Sequence, residues 1–208
     1  MANATFQMNK ETQTPGAEGF KALRTNLVFA AEDSDCRMIL LVSPQEDGKS
    51  PRFAANLAAT MACPERRVLL VDGDLRTGAL TALLASGGEK PGLSDWLEGR
   101  KELEGVLVPG DDPQLMFLPC GKLCGDPGAL FSGKKAAESL RALRDRFDYV
   151  IVYAPNVEAY TDAVVLSRIA DGSVMVLSAE KTKLRAAKSC KEKLEAVKAP
   201  ILGAVLNG

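Results

Sequence analysis

The chain has 208 residues, of which 46% are hydrophobic and 25% are charged, and its formal net charge at pH 7 is -1. This composition is typical of a folded globular domain and excludes a largely disordered chain. The small net charge, without a block rich in lysine and arginine, argues against a nucleic-acid partner. The amino terminus is polar and no apolar run approaches the length of a membrane span, so we expect a cytoplasmic protein.

Five cysteines and no histidine narrow the chemistry that the chain can perform. Only Cys120 and Cys124 lie close in sequence, and no second pair completes a zinc site, so reduced cysteines are the simpler interpretation. Without histidine, nucleophilic systems of the Ser-His and Cys-His types are excluded.

The sequence pattern divides the chain into a short arm and one domain. Residues 1–16 are polar and end in Pro-Gly, which predicts a loose arm, and residues 17–208 are expected to form a single domain. Helices are predicted where apolar residues recur at helical spacing, and strands where short runs are almost wholly apolar. Helices are predicted at 18–31, 52–62, 77–85, 93–97, 134–147, 161–169 and 184–197, strands at 36–42, 67–71, 114–118, 149–153, 173–177 and 201–206, and loops at 86–92 and 119–128.

This alternation of strands and helices predicts a doubly wound α/β sheet, mostly parallel, with helices on both faces. In such sheets ligands bind beyond the carboxyl ends of the strands. Three predicted strands deliver polar residues at that end, namely the segment 43–50, the pair Asp72 and Asp74, and the segment 153–156. We therefore expect a binding site where these three segments meet.

The segment from Ser43 to Ser50 reads Ser-Pro-Gln-Glu-Asp-Gly-Lys-Ser and lies between a predicted strand and a predicted helix. A loop ending in Gly48-Lys49-Ser50 at this position is typical of a phosphate-binding P-loop, whose backbone N–H groups point at phosphate oxygens. The motif alone is weak evidence, because Ser43 replaces the first glycine of the strict pattern. The two neighbouring strand ends favour the P-loop interpretation.

Several short motifs are spread over nearly the whole chain. In order they are Glu18-x-x-Lys21-x-x-Arg24, Gly48-Lys49-Ser50, Val68-Leu-Leu-Val-Asp-Gly-Asp-Leu-Arg76, Phe147-Asp-Tyr-Val-Ile-Val152, Thr161-Asp-Ala163 and Ile201-Leu-Gly-Ala-Val-Leu-Asn207. In this order and spacing they resemble the bacterial protein-tyrosine kinases of capsule and exopolysaccharide synthesis, which share a group of P-loop ATPases with MinD and ParA. The resemblance runs from about residue 18 to residue 207 and implies the P-loop NTPase fold.

The resemblance implies phosphoryl transfer from ATP to tyrosine with the help of Mg²⁺. Lys49 would bind the β- and γ-phosphates, while Ser50 and Asp74 would hold the metal ion. Asp72 would accept the proton of the attacking tyrosine hydroxyl, so that Lys49 and Asp72 form the catalytic set. The nucleotide-binding set would be Ser43, Gly48, Lys49, Ser50 and Asn207.

Some of these assignments have simpler alternatives. For Asp72 and Asp74 the alternative is a solvated turn. For Asn207, which the resemblance places near the adenine, the alternative is a polar residue at the end of a strand.

The resemblance also implies protein partners. In the family the amino-terminal helix packs against a neighbouring subunit, and Glu18, Lys21 and Arg24 match its acidic-basic-basic pattern, so we expect a homo-oligomer through this helix. Lys21 stands where arginine is usual and lacks its bidentate fork, which predicts a weaker contact. Pairing of residues three apart on an exposed helix face is the alternative. The expected adaptor is a transmembrane polysaccharide co-polymerase, which would bring the protein to the membrane.

Three residues depart from the family pattern at the expected nucleotide site. Glu46 stands in place of a glycine and adds negative charge beside the expected phosphates, at a position where positive φ is common. Pro51 replaces a threonine and has no N–H for the α-phosphate. Tyr153 replaces a metal-supporting aspartate, whose charge it cannot supply. Together they predict weak or absent ATP turnover and weakened binding of ATP and Mg²⁺.

The sequence thus supports a tyrosine kinase with a degraded nucleotide site or, alternatively, a pseudokinase that acts as an interaction or scaffold protein. A MinD/ParA-like ATPase is more remote, since Pro44 lies where that group carries an extra lysine. Relatives usually extend into a tail with clustered tyrosines, whereas Tyr149, Tyr153 and Tyr160 all precede the last strand. We therefore expect either a truncated chain or a protein that does not phosphorylate itself in that way.

Overall fold

The computed structural model describes residues 15–84 and 90–208. The predicted arm at 1–16 lies almost wholly outside these residues, as do the last residue of the helix predicted at 77–85 and the first part of the loop predicted at 86–92. Among the helices that the structure describes, none is long and apolar enough to cross a membrane.

One seven-stranded sheet forms the centre of the fold, in the order β3-β4-β2-β5-β1-β6-β7. Neighbouring strands are parallel except β3 and β4, which pair antiparallel. The strands are β1 (Met38–Val42), β2 (Val68–Asp72), β3 (Val108–Pro109), β4 (Leu115–Leu118), β5 (Tyr149–Tyr153), β6 (Gly172–Ser178) and β7 (Ile201–Asn207). The predicted doubly wound, mostly parallel sheet is therefore confirmed.

Helices cover both faces of the sheet. They are α1 (Pro15–Ser34), α2 (Ser50–Met61), α3 (Ala79–Leu84), α4 (Leu93–Leu97), α5 (Pro127–Ser132), α6 (Lys134–Ala142), α7 (Asp162–Ser167) and α8 (Leu184–Ala196). In β1, Ile39 and Leu41 point into the layer of α1 to α3, whereas Leu40 and Val42 point into the layer of α4 to α8. This alternation of apolar side chains explains why the strand is apolar throughout.

Several element bounds differ from the prediction. Helix α5 begins at Pro127, inside the loop predicted at 119–128, because Asp126 caps it by accepting a hydrogen bond from the Ala129 N–H at 3.1 Å. The helix predicted at 134–147 ends at Ala142 and continues as a single 3₁₀ turn. The edge strand β3 was not predicted, because it has two residues and contains a proline.

The carboxyl ends of three neighbouring strands meet as the sequence predicted. Strand β5 lies between β2 and β1, so the loops that follow these strands are adjacent. The Val157 N–H donates to the Ser43 carbonyl at 3.0 Å, and the Gly73 N–H donates to the Tyr153 carbonyl at 2.8 Å. These bonds join the three loops into one edge that can form a site.

Candidate functional site

A cavity of about 100 Å³ opens at this edge of the sheet. Its volume is smaller than that of a typical small-molecule pocket, which is roughly 300–1,000 Å³. The lining comes from all three loops and consists of Ser43, Gln45, Glu46, Asp47, Gly48, Ser50, Pro51, Asp74, Thr77, Ala79, Tyr153, Pro155, Asn156 and Tyr160.

The loop after β1 is closed by its own aspartate. One carboxylate oxygen of Asp47 (Oδ1) accepts hydrogen bonds from the backbone N–H groups of Lys49 and Ser50, both at 2.9 Å. Its other oxygen (Oδ2) accepts the Ser50 hydroxyl at 2.9 Å. Gly48 permits this tight turn through its left-handed backbone, with φ at 71°. The carboxylate therefore lies on the N–H groups at the start of α2, which are the groups that a P-loop offers to phosphate.

The two serines of the loop lie together. The hydroxyl oxygens of Ser43 and Ser50 are 2.5 Å apart and both residues are buried. Because the Ser50 proton is donated to Asp47, Ser43 is the donor between the two hydroxyls. The structure thus brings Ser43, Gly48 and Ser50 together, as expected for one loop, with Asp47 as their common neighbour.

The side chain of Lys49 points away from the cavity. Its Nζ donates to Oε2 of Glu180 at 3.0 Å, and both side chains are well exposed, at 37% and 71%. The next residue, Lys181, donates from its Nζ to the Asp47 carbonyl at 3.1 Å. The segment after β6 therefore contacts both the lysine and the backbone of the loop, although an exposed ion pair of this kind is weak.

Asp72 is fully buried at the end of β2 and does not line the cavity. Oδ2 of Asp72 accepts the N–H and the hydroxyl of Thr81 at 2.7 and 2.6 Å, and Oδ1 accepts the Asp74 N–H at 3.0 Å. Burial raises the pKa of this carboxyl to about 7, although the hydrogen bonds from Thr81 lower it. Its role as a base for an incoming hydroxyl stays a prediction, because all of these contacts tie the carboxylate to its own loop.

Asp74 lines the cavity and is also engaged by its own turn. Its Oδ1 accepts the N–H groups of Arg76 and Thr77, both at 3.1 Å, and the Thr77 hydroxyl donates to Oδ2. Both Asp72 and Asp74 are buried, so the alternative of a solvated turn is wrong. Their roles toward a metal ion or a proton stay predictions.

Tyr153 ends β5, lines the cavity and is 8% exposed. Burial raises the pKa of its hydroxyl above the usual value, and the carboxylates of Asp74 and Asp72 raise it further. Tyr153 is therefore a neutral phenol. Glu46 and Pro51 line the same cavity, and Glu46 does not adopt the positive φ considered for its position.

Two predicted features lie elsewhere. Asn207 ends β7 and does not line the cavity, because β6 separates its strand from β1. Its expected contact with adenine stays a prediction. On α1, Lys21 Nζ lies 2.6 Å from Oε1 of Glu18, and Arg24 donates to the Thr60 carbonyl at 3.3 Å. The pairing expected on the helix face is thus present, and the contact between subunits stays a prediction.

The prediction from sequence missed the residue that closes the loop. It named Glu46 as the acidic residue beside the phosphates, but Asp47 is the one bonded to the N–H groups. Aspartate at a turn before a helix is a frequent capping residue, so this signal was present in the sequence. Glu180 and Lys181 come from the far end of the chain, and no local pattern could have placed them.

The donor set does not fit the phosphates of a magnesium-bound nucleotide in this arrangement. Asp47 already accepts the N–H groups of Lys49 and Ser50, and Pro51 in the first turn of α2 has no N–H to donate. Tyr153 offers a neutral phenol where a carboxylate would support a metal ion. In the described part of the chain, no group of three or more histidine, cysteine, aspartate or glutamate residues could hold a metal ion.

Comparison with known sequences identifies relatives over nearly the whole chain. The chain is 33% identical over 200 residues to the tyrosine-protein kinase YwqD of Bacillus subtilis, and this match covers 95% of the chain and 83% of YwqD. It is 29% identical over 190 residues to the tyrosine-protein kinase CpsD of Streptococcus agalactiae, with 91% and 82% covered. No protein-family model matches the chain.

Solved structures agree with the sequence relatives. The kinase domain of the Escherichia coli tyrosine kinase ETK superposes with a TM-score of 0.89 at 27% identity, covering 100% of this chain and 81% of that one. MinD from Pyrococcus horikoshii, solved with Mg-ADP, gives a TM-score of 0.67 at 24% identity over 82% of this chain and 70% of that one, which shows a shared fold. The chain therefore belongs to the family of bacterial tyrosine-protein kinases.

Proposed function

We propose that this protein is a regulatory member of the kinase family in capsule or exopolysaccharide synthesis, with weak or absent ATP turnover. It would act through contacts with an adaptor and with sister subunits. The family membership supports a role in capsule or exopolysaccharide synthesis. The acidic lining of the cavity, with Asp47 bonded to the N–H groups of the loop, supports the loss of ATP turnover.

The lining of the cavity carries this proposal, because the Asp47 carboxylate occupies the N–H groups that a P-loop offers to phosphate and further acidic residues surround it. Three acidic residues, Glu46, Asp47 and Asp74, belong to its lining, and the described lining residues include no lysine or arginine. A nucleotide triphosphate is itself strongly negative, so its phosphates would be repelled by these groups. The amine of Lys49, which a P-loop uses to offset that repulsion, is bonded to Glu180.

The proposed partners follow from the family. One relative of known structure is the chimerical protein CapA2B2, which superposes with a TM-score of 0.88 at 27% identity and covers 100% of this chain. We propose a transmembrane polysaccharide co-polymerase as the adaptor and α1, with Glu18, Lys21 and Arg24, as a contact to sister subunits. Recruitment by that adaptor would place the protein at the membrane.

A second candidate function is an active tyrosine kinase. Its support is the retained set of Lys49, Ser50, Asp72 and Asp74, which follow β1 or lie at the end of β2, at one edge of the sheet. Rearrangement of the loop after β1 would be required before this set could act on a nucleotide. A MinD/ParA-like ATPase is less well supported, since the likeness to MinD shows only the fold.

Calorimetric titration of the purified chain with Mg-ATP and Mg-ADP tests the proposal. We expect no saturable binding at micromolar nucleotide and the same weak heats from the Lys49→Ala variant. Tight binding that disappears in Lys49→Ala would contradict the proposal and favour the active kinase. An assay for phosphotyrosine with the same samples would then measure turnover.

A further inference from the structure

We propose that the Asp47 carboxylate is a built-in competitor of the nucleotide phosphate, so that the loop after β1 becomes a phosphate site only when this side chain is displaced. This inference rests on the proposed function, because it assigns a cause to the weak nucleotide binding. It makes Asp47 the residue that determines whether the family's site accepts an anion.

The contacts of Asp47 are those expected of a bound phosphate. Its two oxygens take the N–H groups of Lys49 and Ser50 and the hydroxyl of Ser50, all at 2.9 Å. In a P-loop, phosphate oxygens accept the same backbone N–H groups, and the hydroxyl oxygen of the serine or threonine coordinates the accompanying metal ion. One set of donors cannot serve both anions at once, so binding of a nucleotide requires that Asp47 leave.

Burial makes this competition effective. Asp47 is 7% exposed, so its carboxylate faces the loop rather than water. A negative group at the start of the twelve-residue helix α2 also gains from the helix dipole. The contact from Lys181 to the Asp47 carbonyl fixes the backbone from which the side chain extends. The internal anion is therefore held at high local concentration, whereas a nucleotide must bind from solution.

The size of the effect follows from the stability of such a contact. A side chain that caps a helix start stabilises it by an amount that corresponds to roughly a tenfold change in an equilibrium constant. Asp47 precedes the N-cap residue Lys49 and makes a comparable contact, because it accepts the N–H groups of Lys49 and Ser50. A nucleotide that displaces Asp47 must overcome this contact and also the charge that remains nearby. Removal of the carboxylate should therefore strengthen phosphate binding at least about tenfold.

A simpler view is that Asp47 is only a helix cap. In that case its removal would lower the stability of the protein and leave nucleotide affinity unchanged. Competition predicts changes of opposite sign, namely lower stability without nucleotide and tighter binding of Mg-ADP. The two views are therefore separable in one set of measurements.

The experiment is a calorimetric titration of the full chain with Mg-ADP and with inorganic pyrophosphate. The variants are Asp47→Ala and Asp47→Ser, the second of which removes the charge but keeps a residue that caps helices well. Glu46→Gln is the matched control, because Glu46 lines the same cavity but is not bonded to the N–H groups of Lys49 and Ser50. Thermal melts with and without Mg-ADP report folding of each variant.

We expect binding at least about tenfold tighter than wild type in both Asp47 variants and a change below about threefold in Glu46→Gln. Melts should show a larger rise with Mg-ADP in the Asp47 variants than in wild type. Unchanged affinity in a folded Asp47→Ser protein would overturn the inference, and so would an equal gain in Glu46→Gln.

Wild-type behaviour separates this inference from the proposed function. If wild type binds Mg-ADP tightly and Asp47→Ser binds it more tightly still, the proposed function fails and the competition stands. If neither protein binds, the competition fails and the proposed function stands.

Discussion

Two turns of this protein have the same pattern of hydrogen bonds but differ in their role. In the loop after β1, Asp47 accepts the N–H groups two and three residues ahead and the hydroxyl of Ser50. In the loop after β2, Asp74 accepts the N–H groups two and three residues ahead and the hydroxyl of Thr77. Both carboxylates are buried, and both line the same cavity.

The difference lies in what surrounds each turn. The turn at Asp74 is fastened to the rest of the fold by Arg76, which forms a two-point ion pair with the buried Asp162. The turn at Asp47 precedes α2 in the position of the family's phosphate loop, and its further side-chain contacts come from the exposed segment after β6. A capping motif is thus structural at one strand end and competes with a ligand at the next.

The largest effect on stability is expected from Arg76→Ala, which breaks the ion pair that holds the turn at Asp74. The guanidinium of Arg76 lies 2.5 and 3.0 Å from the oxygens of Asp162, whose side chain is 1% exposed. Arg76→Ala would leave that carboxylate buried without its cation, which should lower the free energy of unfolding by about 3 kcal/mol. Urea unfolding measures this loss.

The control for Arg76 is Arg146→Ala, which removes an exposed ion pair with Glu104 and should leave the urea midpoint nearly unchanged. Equal destabilisation of the two variants would show that burial of the pair with Asp162 does not matter.

The next effect, measured per pH unit, is a dependence of stability on pH through Asp72. Burial raises its pKa from 3.8 to about 7. The folded protein therefore holds this proton more tightly than the unfolded chain, so the stabilisation is present below pH 3.8 and is lost as the pH rises toward 7. The free energy of unfolding should fall with a slope of at most about 1.4 kcal/mol per pH unit in that window.

Urea unfolding of wild type and Asp72→Asn at several pH values between about 4 and 8 isolates this group. The variant is expected to be less stable throughout but to show a flatter dependence on pH. Parallel curves for the two proteins would contradict the assignment of the titration to Asp72.

A smaller effect compares the two capping residues directly. Asp47→Ala and Asp74→Ala should each lower the free energy of unfolding by about 1.4 kcal/mol, because each removes the acceptor of a helix or turn start. Only Asp47→Ala should also gain affinity for Mg-ADP. A gain of the same size in Asp74→Ala would mean that the total charge of the cavity, rather than the position of Asp47, controls binding.

The smallest effect is expected at the ion pair between Lys49 and Glu180. Because both side chains are well exposed, the pair restrains the lysine only weakly. Glu180→Ala should change the affinity of Mg-ADP by less than about threefold, measured by calorimetry in the Asp47→Ala background. If Glu180→Ala raised the affinity for Mg-ADP as much as Asp47→Ala does, the ion pair of Lys49, rather than the Asp47 carboxylate, would be what limits nucleotide binding.

The sheet was predictable because its strands are short apolar runs. The prediction of β5 matched its bounds at Tyr149–Tyr153, and the meeting of the loops after β1, β2 and β5 followed from parallel topology. Strand β3 was missed because two residues with a proline carry no pattern. Local sequence thus determines most of the core but not the short edge of the sheet.

The location of the candidate site was predictable from the sequence, but the contacts of its side chains were not. The sequence predicted that the segments 43–50 and 153–156 would meet at one edge of the sheet, and Ser43, Gly48, Ser50 and Tyr153 all line the cavity there. Which acidic side chain accepts the N–H groups depends on the backbone of the turn, in which Gly48 has a φ of 71° and Asp47 accepts the N–H groups of Lys49 and Ser50. The contact between Lys49 and Glu180 depends on the tertiary fold.

The most direct measurement is a pair of crystal structures grown with Mg-ADP, one of wild type and one of Asp47→Ala. We expect the Asp47 carboxylate on the N–H groups of Lys49 and Ser50 in wild type, and the β-phosphate on the same groups in the variant. A β-phosphate on those groups in wild type, with Asp47 turned away and no loss of affinity relative to the variant, would contradict competition by Asp47.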